Sequence, residues 1–108
     1  MEPFDVALFQ WREGERRLAD APREQRAMLE RVVEAVVAEL RRRLGGPFTA
    51  GELADLYAQG TSWCSDVAYR VAPEAPYAWD PRIVADAAFG RYLRGASDYA
   101  GGRRLYAD

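Results

Sequence analysis

The chain has 108 residues, 49% of them apolar, which fits a single domain built on one hydrophobic core. Its net charge is −2, and with no histidine or lysine it lacks the usual neutral-pH base, the Schiff-base amine and the phosphate-loop lysine. One cysteine excludes an internal disulfide and a Cys/His zinc site, and no cofactor or metal is expected.

Charge is spread evenly. Residues 1–48 carry nine acids and nine arginines, and residues 49–108 carry eight acids and six arginines, so neither half forms a basic block for phosphates. The opening MEPFDVALFQWRE places two acids before a short apolar run, unlike a secretory leader. No stretch reaches the roughly 18–20 apolar residues that cross a bilayer. A cytoplasmic protein with no membrane partner is expected.

Segment 4–19 sets Phe4, Leu8, Trp11 and Leu18 near one helical face, with Gly14 as a weak point costing about 1 kcal/mol. Asp20, Ala21 and Pro22 then read as a helix start, Asp20 as the polar cap. The helix that follows is the strongest element. Leu29, Val32, Val33, Val36, Val37, Leu40 and Leu44 recur at spacings of three and four, and Gly45-Gly46-Pro47 stops it. Glu39 and Arg43 stand one turn apart and should attract, whereas Glu30 and Glu34 should repel slightly. Leu29, Val33, Val36 and Leu40 also follow coiled-coil spacing, which admits a homodimer seam or the monomer's own core.

Thr49 and Glu52 form a capping box with Phe48 as a staple toward Leu53, and Gly60 ends this third helix. A fourth begins at Thr61 or Ser62, with Trp63, Val67 and Val71 on one stripe and Cys64 and Ala68 beside it. Prolines 73 and 76 mark an extended connection. Asp80-Pro81 opens a last helix carrying Ile83, Val84, Ala87, Ala88, Tyr92 and Leu93, with Gly90 as a soft spot. The expectation is an all-α fold: four or five helices around one long central helix, one domain over 1–95, then a Gly/Tyr/Arg-rich tail over 96–108.

Three features bear on function. The stretch FTAGELADLYAQGTSWCSDVAYRV, with Thr49, Glu52, Leu53 and Ala54 opening it, resembles a helix-turn-helix unit. That resemblance implies DNA binding through residues 49–71. The second helix departs from it, because its outward set of Ser62, Ser65, Asp66, Tyr69 and Arg70 holds one acid and one base. Cys64 lies in the first turn of its helix without a histidine partner, which suits a small core residue beside Trp63 better than a reactive thiol. Finally, residues 63–106 interleave Trp63, Tyr69, Tyr77, Trp79, Phe89, Tyr92, Tyr99 and Tyr106 with six arginines, the residue types of contact hot spots. The expected function is a small non-catalytic protein-interaction module, an adaptor or accessory subunit binding another protein or itself. Its expected surface is Tyr77, Trp79, Arg82, Asp66, Tyr69 and Arg70. A helix-turn-helix regulator is the alternative.

Overall fold

A computed structural model of the protein describes residues 3–45, 48–73 and 81–99. The described residues form five helices and no strand: α1 (Pro3–Ala19), α2 (Arg23–Leu44), α3 (Ala50–Ala58), α4 (Ser62–Val71) and α5 (Pro81–Tyr99). The all-α bundle expected from the apolar spacing is therefore the fold. α5 continues four residues past position 95.

Helix ends follow local chemistry with two corrections. Asp20 does not cap α2. Its amide instead donates to the Arg16 carbonyl and closes α1, while Pro22 is the first cap of α2 and its carbonyl accepts from Gln25 and Arg26. Thr61 precedes α4 without a side-chain cap bond, so that helix starts on the Cys64 amide bonding to the Thr61 carbonyl at 2.9 Å. The other expected signals hold. Gly45 ends α2 in the left-handed region at φ 76°, a conformation glycine adopts without a Cβ penalty. Thr49 accepts from the Glu52 amide and the Glu52 carboxylate accepts from the Thr49 amide, closing the capping box.

The α2 stripe is the monomer's own core. Leu29, Val32, Val33, Val36, Val37 and Leu40 are all buried, so no α2 seam is left for a coiled-coil dimer. On α4 the buried residues are Cys64, Val67 and Ala68, while Val71 is exposed. The helix is rotated from its expected stripe because Trp63 lies at the core's edge, with the Arg43 guanidinium 4.4 Å over its ring.

The principal helix pairing joins α1 to α5. Two glycines lie in this contact. A Cβ on Gly14 would stand 2.4 Å from the Asp86 Cβ and 2.8 Å from the Ala87 nitrogen. One on Gly90 would meet the Glu15 carboxylate at 2.7 Å and the Trp11 carbonyl at 3.1 Å. Both positions read from sequence as weak points; in the fold they are where two helix backbones approach closely. Beside them Trp11, fully buried, packs on Phe89 and Tyr57 with ring centroids 5.4 and 5.6 Å away, and Trp63 joins at 6.4 Å from Phe89. Phe48 stacks on Tyr92 at 5.3 Å. Thus Trp63, Phe89 and Tyr92, counted among possible contact aromatics, are engaged in packing.

Candidate functional site

Where α1, the α3–α4 turn and α5 meet, the surface opens into a cleft of about 610 Å³, within the size range of ligand-binding clefts. α1 supplies Phe9, Gln10, Glu13, Gly14 and Arg17, which recur at spacings of one, three and four and so share a helix face. Tyr57 comes from α3, Gly60 and Thr61 from the turn, and Arg82, Ile83, Ala85 and Asp86 from α5. Gly14 and Ala85 are buried, while Phe9, Gln10, Arg17 and Arg82 are exposed around them. Gly60 holds φ at 122°, a value that L side chains rarely adopt, and this shapes the turn at the cleft's side.

The polar groups here are organised. The Tyr57 hydroxyl donates to Asp86 Oδ1 at 2.6 Å, with Gln10 Oε1 at 3.4 Å. Burial, reinforced by the neighbouring Asp86 carboxylate, raises the phenol well above the usual tyrosine range. Glu13 is held by Arg16, whose Nη2 and Nε donate at 2.6 and 3.3 Å, and this hydrogen bonding lowers its carboxyl from the ordinary value. Phe9, 67% exposed, is the most exposed of the large apolar side chains described, with Val6 one turn away at 45%.

A second, shallower groove of about 370 Å³ runs between α2 and α4, lined by Ala35, Ala38, Glu39, Arg42, Val67, Arg70 and Val71. Glu39 holds Arg42 at 2.7 Å and Arg43 at 3.1 Å, so the expected one-turn pair to Arg43 forms. Arg91 reaches from α5 to both Glu30 at 2.8 Å and Glu34 at 2.7 Å, which converts the expected repulsion on α2 into a bridge between helices.

The expected surface residues do not converge on one site. Asp66, Tyr69 and Arg70 are exposed together on α4, and Arg70 borders the shallow groove. Arg82 borders the larger cleft on α5. Tyr77 and Trp79 lie outside the described residues. Cys64 is buried at 2% exposure, and burial pushes its thiol up to about 12. Among the described residues, no group of three or more acidic or cysteine side chains is placed to hold a metal ion, and no helix is long and apolar enough to cross a membrane.

Phe9, Gln10, Arg17, Tyr57 and Asp86 were not expected at a site. Phe9 carried a usable signal, a large apolar residue lying off the Phe4–Leu8–Trp11–Leu18 stripe. The Tyr57–Asp86 pair carried none, since 29 positions separate its members on two helices.

The helix-turn-helix resemblance is not matched in the packing. Among the described residues α3 packs chiefly on α1, and α4 on α2 and α5, so the two helices are not each other's main partners. No protein-family model, curated protein or solved structure matches the chain.

Proposed function

We propose that the chain is a small non-catalytic helical interaction module, an adaptor or accessory subunit, whose contact surface centres on Phe9 and the α1–α5 cleft with Arg82 at its edge. The observation that carries this reading is Phe9 itself. A phenylalanine two-thirds exposed leaves unclaimed most of the ~1.5–3 kcal/mol that its burial would contribute. It stands beside a cleft with two arginines, a residue type that interfaces favour. The high thiol pKa of Cys64 further supports a role without nucleophilic catalysis, because the thiolate is the reactive form. Asp66, Tyr69 and Arg70 form a second patch of the same kind on α4.

The DNA-binding alternative through residues 49–71 ranks below this. The mixed charges of Asp66 and Arg70 and the separate packing of α3 and α4 give it little support.

Affinity capture of the tagged chain from its native lysate, with and without nuclease, tests the reading when run beside Phe9→Ser. One protein retained in near-stoichiometric amount after nuclease, and lost with Phe9→Ser, supports the module. Material that disappears with nuclease and with Arg70→Glu overturns it in favour of DNA. Because Phe9 is exposed, Phe9→Ser should change unfolding free energy by no more than about 0.5 kcal/mol.

A further inference from the structure

We propose that α1 pairs antiparallel with the α1 of a second copy of the chain, Phe9 meeting its counterpart near the two-fold axis and Asp5 of each copy facing Arg12 of the other. The inference rests on the interaction-module reading, in which Phe9 is the contact residue, and names the partner as the chain itself. The apolar part of the contact is Val6 and Phe9, 45% and 67% exposed on the outward face of α1. Its direction comes from charge. Asp5, Phe9 and Arg12 follow one another at spacings of four and three, so they form one stripe along that face. Asp5 and Arg12 are both exposed, and neither makes an ion pair among the described residues.

Neither charge is satisfied within α1. Ion pairs along a helix need spacings of three or four, and seven positions put Asp5 and Arg12 about 10 Å apart. Leu8 and Phe9 fill the one-turn positions between them. The acid one turn beyond Arg12 is Glu15, which Arg94 of α5 holds at 2.6 Å, and Glu13 is held by Arg16 at 2.6 Å. An identical stripe laid antiparallel supplies both missing partners at once, because an acid at one end and a base at the other are self-complementary under a two-fold rotation. Phe9 stands near the middle of the stripe, so the same rotation brings the two rings together. A parallel copy would set acid against acid and base against base. Exposed ion pairs are individually weak, so the aromatic contact supplies the affinity and the charges select the orientation.

Sedimentation equilibrium of the full chain over a wide concentration series is the test. The expected result is a reversible monomer–dimer equilibrium whose dissociation constant rises about tenfold or more in Phe9→Ser. Asp5→Arg and Arg12→Asp should each weaken it about threefold or more, since each sets like charges face to face. Mixed in equal amounts, these two variants should form a heterodimer at least as tight as the native dimer, and Asp5→Arg/Arg12→Asp should restore self-association. All three positions are exposed, and thermal melts would verify that each variant folds. A dimer indifferent to Phe9→Ser or to the single charge variants, or a mixture without rescue, would overturn the antiparallel pairing. A chain that stays monomeric while a different protein is captured through Phe9 would overturn the dimer and leave the module reading standing. A monomer with no Phe9-dependent capture would overturn both.

Discussion

Cys64 and Arg91 show how much a single side chain can decide here. The thiol's folded pKa of about 12 lies above the ordinary 9.0 because burial disfavours the thiolate. The unfolded chain therefore loses this proton at lower pH than the folded one. The contribution is complete below about pH 9 and is lost as pH rises toward 12; the raised Tyr57 phenol acts in the same direction. Melting should drop between pH 8 and 10.5, and Cys64→Ala, at a cost of about 1 kcal/mol at pH 7, should shrink that drop. A thiol reagent at pH 8 should react with Cys64 only as fast as the fold opens. At the acid end the sign reverses. The hydrogen bond from Arg91 lowers the Glu30 carboxyl below 4.5, so its contribution is present above that pH and fades below it. Arg91→Ala should cost about 1 kcal/mol, since the acids are partly exposed, and it should flatten the acid limb of the stability curve. Burial of Cys64 was readable from a lone cysteine beside a tryptophan. The Arg91 bridge was not, because Glu30 and Glu34 show their neighbours in sequence but not the helix that crosses them.

At the scale of elements, α1 and α5 carry the most informative test. Helix propensity alone makes Gly→Ala within a helix worth up to about 1 kcal/mol of stabilisation. At Gly14 the new methyl would meet Asp86 and the Ala87 backbone, so Gly14→Ala should instead destabilise by about 1–3 kcal/mol net. At Gly90 the nearest atom is the Glu15 carboxylate at the end of a flexible side chain, although Arg94 holds it at 2.6 Å. The loss there should be smaller. Gly95, on the same helix with nothing within 4 Å, should give a gain of about 0.5–1 kcal/mol when replaced by alanine. Chemical denaturation of the three variants measures the series, and equal effects at all three would refute close helix approach as the cause. All five helices were legible from apolar spacing and from Gly45, Thr49, Glu52 and Gly60. What spacing could not reveal was the rotation of α4, which buries Cys64 and leaves Trp63 at the core's edge.

For the whole molecule, the candidate cleft escaped the sequence because its walls come from α1, α3 and α5, and only the closure of α1 on α5 brings Arg17 and Arg82 to one opening. That closure also buries Trp11 against Phe89 and Tyr57. Removing residues 3–19 should therefore abolish cooperative thermal unfolding rather than merely lower its midpoint, and a retained sharp transition would contradict this. The same pairing has a consequence for the nascent chain. α1 leaves the ribosome before α5, its main partner, which begins at Pro81, 62 residues after Ala19. At about 5–20 residues per second, α1 waits roughly 3–12 s for α5. During that interval the indole of Trp11 and the phenyl ring of Phe9 both lack α5 as cover, the first until α5 docks and the second remaining exposed afterwards. Synthesis thus passes through a stage in which a chaperone would find a longer apolar ridge on α1 than the finished protein ever presents.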